Sequence, residues 1–143
     1  MAHSYSIKLQ ELTSSEISVM SSIKNFLELP TEKQIGETHH FFLIRDGFPV
    51  SPGHTLIISK ELRSDYFELT PDEKADLDNA IGLARSLVES EFTPDGYNIG
   101  MNCGKSAGQT VFHFHCHLIP RYAGDMKNPR GGVRHVIPSK GSY

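Results

Sequence analysis

Cysteine is scarce in this 143-residue chain, and the two present, Cys103 and Cys116, form neither a CxxC pair nor a disulfide framework. That excludes a disulfide-stapled secreted scaffold and fits a reducing compartment. No apolar run approaches the ~20 residues needed to cross a bilayer. The polar start, Met1 to Gln10, lacks an apolar stretch with a small-residue cleavage site, which predicts no secretory leader. Together these absences predict a cytoplasmic protein. Strong charge of either sign is missing too. The net charge is −3, which leaves no electrostatic footing for nucleic acid or a membrane as the main partner. Repeats, low-complexity tracts and dividing linkers are also lacking. What remains is globular composition, 38% hydrophobic and 22% charged, in a length suited to one domain with its own core.

Thr13-Ser14-Ser15-Glu16 looks like a capping box, followed by Ile17, Met20, Ile23 and Leu27 at helical spacing and closed by Pro30. His39 to Arg45 reads as a buried strand ended by Asp46-Gly47. After the turn Pro49-Val50-Ser51-Pro52-Gly53, His54 to Ser59 reads as a second strand, paired antiparallel with the first. Thr70-Pro71-Asp72-Glu73 opens the clearest helix: threonine caps, proline takes the first helical position, and Glu73 completes the box. Leu77, Ile81, Ala84 and Val88 form its apolar stripe, and Thr93-Pro94-Asp95-Gly96 ends it. Tyr97 to Asn102 and Phe112 to Pro120 read as two more strands joined by a loop from Cys103 to Gln109, and the tail after Tyr122 reads as irregular. Strands with inserted helices and short turns predict an α+β fold with a mainly antiparallel sheet and flanking helices.

The chemistry concentrates in Phe112-His113-Phe114-His115-Cys116-His117-Leu118. A strand's period of two puts His113, His115 and His117 on one face and Phe112, Phe114, Cys116 and Leu118 on the other. An ordinary half-buried strand explains the alternation but not why every polar position is imidazole. One functional reading is a metal site, since histidine is the commonest transition-metal ligand. Residues four apart on a strand lie ~13 Å apart, too far for three rings to meet on one ion with bonds of ~2 Å. Two could, with a ligand from His39, His54 or a carboxylate. The other reading is a linear track of imidazoles along an extended anionic substrate, one ring acting as nucleophile and its neighbours as hydrogen-bond donors. The preceding loop, Ser106-Ala107-Gly108-Gln109-Thr110, offers backbone N–H groups, an amide and a hydroxyl suited to phosphate. Phosphate chemistry is the better fit.

The segment Gly108 to Arg121 resembles the signature of the histidine triad superfamily, three histidines alternating with apolar residues. Pro49 to His54 resembles its second element, a turn that delivers a fourth histidine. The likeness runs from about Phe41 to Asp125, and the form ending in Pro120-Arg121 with Ala123-Gly124-Asp125 is most similar to the fragile-histidine-triad branch, the dinucleoside polyphosphate hydrolases. It implies a homodimer with the histidine triad fold across residues 1–143: a core of about 39–125, a helical extension of about 13–29 and a tail of about 123–143.

By the same resemblance His115 is the nucleophile that carries the nucleotide covalently, and His113, His117 and His54 hold the phosphate and orient it. Gly108, Gln109 and Thr110 bind the α-phosphate, with the Thr110 hydroxyl reaching the leaving atom. Asn102 contacts phosphate, Asp46 accepts hydrogen bonds from ribose, and Ile44 packs on the base. Taken alone, Asp46 is an ordinary turn residue and Ile44 an ordinary core residue. Arg121 would supply a cation to distal phosphates, against the plain alternative of a solvated strand end. His3, His39, His40 and His135 lie outside the motif and read as surface or strand-end residues. Relatives with zinc-binding cysteines near the start differ from this chain, so no structural zinc is expected. No tightly bound cofactor is implied, although Mg²⁺ can accompany a polyphosphate. The substrate is therefore expected to be a small-molecule nucleotide, cleaved at the α-phosphate to release a monophosphate such as AMP. The alternatives are a nucleoside phosphoramidate hydrolase and a nucleotide- or metal-binding module without turnover.

Overall fold

A computed structural model describes residues 13–14 and 23–143. Strands β1 (Gln34–Glu37), β2 (Phe41–Arg45), β3 (Thr55–Ser59), β4 (Gly96–Gly100) and β5 (His115–Arg121) form one antiparallel sheet in the order β1-β2-β3-β5-β4. Helix α1 (Pro71–Glu89) covers one face, and a short helix α2 (Pro138–Gly141) lies in the tail. The expected α+β fold with an antiparallel sheet is the one observed.

The two uninterrupted apolar strands, β2 and β3, are buried on both faces. Towards α1, Phe41, Leu43, Ile57, Phe114, Cys116 and Leu118 pack on Leu77, Ala80, Ala84 and Val88. On the opposite face Phe42, Ile44, Leu56 and Ile58 gather around Phe26. Fully burying each such side chain contributes about 1.5–3 kcal/mol, so α1 is held on its stripe. The capping box is complete: the Thr70 hydroxyl accepts from the Glu73 N–H and the Glu73 carboxylate accepts from the Thr70 N–H. Glu73 also receives Arg63 Nε at 2.9 Å. Ile81, expected in the stripe, is only partly buried, and Ala80 faces the sheet instead.

Several boundaries differ from the sequence reading. Much of the expected helix at 13–29 falls outside the described residues, including Ile17 and Met20. Its end is a 3-10 turn, Phe26–Glu28, capped by the Asn25 side chain, which leaves Leu27 exposed. Strand β1 was not expected, because Gln34–Glu37 is polar and lies at an edge. His39 and His40 precede β2 rather than belonging to it. The Asp76 carboxylate accepts from Thr38 Oγ1 and His40 N, drawing this stretch into a turn. Strand β4 begins and ends earlier than the expected Tyr97 to Asn102. The tail is less irregular than expected, with a 3-10 turn at Gly132–Val136 ahead of α2.

The correction that bears on chemistry concerns β5. It starts at His115, not Phe112, and alternates strictly to Arg121. Before it, Phe114 N donates to Arg63 O and Ser59 N to Phe114 O, an irregular pairing that turns the chain. Phe112 therefore leaves the apolar face and is 49% exposed, while Pro120 continues that face at the other end. His113 is not a strand residue, and its ring is fully buried.

Candidate active site

On the face away from α1, antiparallel pairing sets His115 beside Ile58 and His117 beside Leu56. Each imidazole finds partners that settle which nitrogen carries its proton. His113 Nδ1 accepts from the Phe26 backbone N–H at 3.1 Å, so Nε2 carries the hydrogen and donates to Ser59 O at 2.7 Å. His115 Nδ1–H donates to the His113 carbonyl at 2.8 Å, which leaves the Nε2 lone pair free of protein donors among the described residues. The Phe26 ring stands edge-on to the His115 ring at 4.9 Å and fixes its plane.

A second chain of bonds begins at the turn before β3. Val50 N–H donates to His54 Nδ1 at 3.0 Å, so His54 Nε2 bears the hydrogen and donates to His117 Nδ1 at 2.9 Å. His117 is left with a hydrogen on Nε2. Gly53 makes this turn with φ +85°, and a Cβ there would come within 2.9 Å of the Phe92 ring. Asp46 Oδ1 accepts from Phe48 N, while Oδ2 lies 3.3 Å from His54 Nε2 and 3.9 Å from His117 Nδ1.

Burial favours the neutral form of all four rings. It holds His113, His115 and His54 below the ordinary imidazole value, and the nearby Asp46 charge offsets this only in part for His54 and His115. His117 falls furthest, to about 4, through burial and then the charges His115 and His54 would carry. At neutral pH the face therefore presents one free imidazole lone pair, on His115, beside one outward N–H, on His117. A free lone pair can attack phosphorus, and an N–H can hold a phosphate oxygen. Cys116 offers no competing nucleophile, since burial pushes its thiol up to about 12.

The remaining expected residues divide. Asn102 lies beside Gly108, within 4.0 Å of the Cβ position there, and both are exposed with Thr110. Gln109 does not face outward. It is buried, its Oε1 accepting from Gly104 N and its Nε2 donating to Ser64 O and Val111 O, so its amide shapes the loop from within. Ile44 sits in the cluster around Phe26 rather than on an open surface. Arg121 is held by Asp125 through Nε and Nη2 and by Asn98 through Nη1, at the far end of β5 from His115. Phe26, Val50 and Ser59 were missed. All three act through backbone atoms, and Phe26 meets His113 across 87 residues, a pairing no local pattern signals.

Known proteins resemble this chain. A HIT-like protein of Mycoplasma pneumoniae is 38% identical over 90 residues, covering 62% of each chain. The chain thus spans less than two thirds of that relative's length. A bis(5'-adenosyl)-triphosphatase of Dictyostelium discoideum is 41% identical over 80 residues, 56% of this chain and 54% of its own. Among solved structures, a hypothetical histidine triad nucleotide-binding protein of Sulfolobus tokodaii superposes with a TM-score of 0.61 at 37% identity, covering 64% of this chain and 62% of that one. The HIT domain model matches residues 28–124, and the chain belongs to the histidine triad family.

Proposed function

We propose that the chain hydrolyses dinucleoside polyphosphates at the α-phosphate through a nucleotidyl group on His115, releasing a monophosphate such as AMP. The observation that carries this reading is the His115 ring, whose Nδ1–H is tied to the His113 carbonyl while Nε2 meets no donor among the described residues. In the first step Nε2 attacks phosphorus and the bond to the bridging oxygen breaks. The departing nucleotide leaves as an anion. In the second step water attacks, the P–N bond breaks, and His115 regains its lone pair. His117 Nε2–H holds a non-bridging oxygen, the Thr110 hydroxyl and Asn102 amide flank it, and Asp46 takes the ribose hydroxyls. The similarity to a bis(5'-adenosyl)-triphosphatase supports the substrate class. The reaction requires no resident cofactor, with Mg²⁺ serving to screen the polyphosphate. The place of work is the cytoplasm; no helix among the described residues is long and apolar enough to cross a membrane.

The active form is a homodimer. Support comes from β4, which ends the sheet with one edge unpaired among the described residues and bears Ile99, 45% exposed. Light scattering should give twice the chain mass.

Replacing His115 with Asn should cut turnover by roughly three orders of magnitude while AMP binding survives. Rapid quenching of wild type with labelled substrate should trap an acid-labile adduct. Wild-type-like turnover in the variant would sink the mechanism.

One observation favours the second reading, cleavage of a nucleoside phosphoramidate. Arg121, the cation expected at distal phosphates, is already bonded to Asp125 and Asn98, and a phosphoramidate has no distal phosphates to meet. Comparing kcat/KM for diadenosine triphosphate and adenosine phosphoramidate separates the two. The proposal expects the triphosphate to be preferred.

A further inference from the structure

The tail after Asp125 carries Lys127, Arg130, Arg134 and Lys140 and no acidic residue, in a chain whose net charge is −3. None of these four cations forms an ion pair among the described residues. Exposed cations are ordinarily mobile and solvated, but two of these are held. The guanidinium carbons of Arg130 and Arg134 lie 4.7 and 4.9 Å from the centre of the Tyr143 ring, and Arg134 Nη2 donates to Lys140 O at 3.0 Å. The backbone beneath them closes on itself. His135 Nε2 donates to Arg130 O at 2.9 Å, and Gly131, at φ +98°, approaches Gly141 O so closely that a Cβ has no room. The Arg130 side chain makes no hydrogen bond among the described residues, and Arg134 keeps Nε and Nη1 unbonded.

This part of the tail stands over the histidine face of the sheet, beyond the histidines themselves. Gly100 pairs with His117 and Asn98 with Ile119, so Asn98 shares that face, about 7 Å along β4 from the residue opposite His117. Gly132, bracketed by Arg130 and Arg134, lies so near that a Cβ on it would be 3.4 Å from Asn98 Nδ2. Arg121 Nη1 donates to Asn98 Oδ1, which turns Nδ2 towards the tail and leaves it without an acceptor among the described residues. An open cleft of about 470 Å³ lies there, lined by Asn98, Arg121, Met126, Lys127 and Gly132. Its two carboxylates are engaged, Asp125 by Arg121 and Asp95 by Ala123 N–H.

We propose that Asn98, Arg130 and Arg134 form a second anion subsite, which takes the distal phosphates of the nucleotide whose α-phosphate lies at His115 and His117. The proposal rests on the nucleotide reading, and it supplies the cation that Arg121, tied to Asp125, withholds. Guanidinium forks match phosphate oxygens bidentately. Forks already stacked on a ring lose less freedom on binding than solvated ones. A monophosphate ends at the histidines, whereas a polyphosphate chain continues along the face to the tail. The subsite therefore selects for phosphate chain length.

The test has a binding arm and a kinetic arm, both on the full-length chain. Inorganic tripolyphosphate, titrated calorimetrically without nucleotide, should bind saturably, and the double variant Arg130→Gln/Arg134→Gln should weaken it at least tenfold. Removing two cations from α1, on the other face, with Lys74→Gln/Arg85→Gln should leave that affinity as in wild type. If the tail variant loses its fold by circular dichroism, Arg130→Gln alone decides with an expected loss of about threefold or more, because that side chain is bonded to nothing. In the kinetic arm the tail variant should raise KM for diadenosine triphosphate at least tenfold, with kcat little changed and AMP affinity preserved. Tripolyphosphate binding that is absent at millimolar concentration, or that survives loss of both arginines, would overturn the subsite. Arginine-dependent tripolyphosphate binding with an unchanged KM for diadenosine triphosphate would mark a site for free phosphate and overturn its part in substrate binding. A wild type that binds tripolyphosphate through the arginines yet hydrolyses no dinucleotide would defeat the hydrolase reading and leave the anion site standing.

Discussion

His113 has both ring nitrogens committed, one to Phe26 N–H and the other to Ser59 O, while its own carbonyl takes the His115 proton. Of the three alternating histidines it is therefore the one placed to brace a neighbour rather than to meet a ligand. The fully buried neutral ring suits this place because it accepts at one nitrogen and donates at the other. Gly53 acts at the same scale. Its φ of +85° and the close Phe92 ring leave no room for a side chain one residue before His54. Gly53→Ala should lower stability by roughly 1–3 kcal/mol. Thermal melting would show it as a drop of several degrees, with kcat/KM falling as His54 shifts.

At the scale of elements, the site depends on how the segment just after β3 grips what comes later. Arg63 anchors to Glu73 at the start of α1, its carbonyl holds Phe114 N, and Ser64 O holds Gln109. The same short stretch thus fixes the entry to β5 and the loop before it. Removing the buried amide with Gln109→Ala deletes three part-buried hydrogen bonds, to Gly104 N, Ser64 O and Val111 O, at about 0.5–1.5 kcal/mol each. The loop should loosen, raising KM for a nucleotide several-fold more than it lowers kcat. An equal fall in kcat with KM unchanged would show that the loop does not bind the ground state.

Across the whole molecule, four neutral imidazoles are gathered on one partly buried face. Burial disfavours their protonated forms, so between the folded and unfolded pKa values the unfolded chain binds more protons. Stability is then full above the unfolded value of 6.5 and declines as pH falls towards 4, the His117 value. Melting temperature should be flat from pH 7 to 8 and drop steadily between 6.5 and 4. His117→Gln should flatten part of that drop. Activity should follow the protonation of His115, holding its plateau somewhat below pH 6.5 before it declines, since that ring also lies under its ordinary value.

Much of this was legible along the chain. The capping box of α1, the apolar runs of β2 and β3, and the alternation from His115 to Arg121 are local patterns, and each element formed where neighbouring residues already agreed on it. The polar edge strand β1 carried no such pattern, and the period-two reading ran three residues too far because nothing local marks where Arg63 interrupts the pairing at Phe114. Patterns among neighbouring residues were enough to specify the antiparallel α+β class, the histidine face and the family resemblance. Long-range contacts settled which nitrogen of each imidazole carries the hydrogen, turned Gln109 inward, engaged Arg121 with Asp125, and brought Asp46 to His54 and His117. The physical reason is range. Periodicity is a property of adjacent residues, whereas a tautomer is set by whichever donor or acceptor the fold brings within about 3 Å, however distant in the chain.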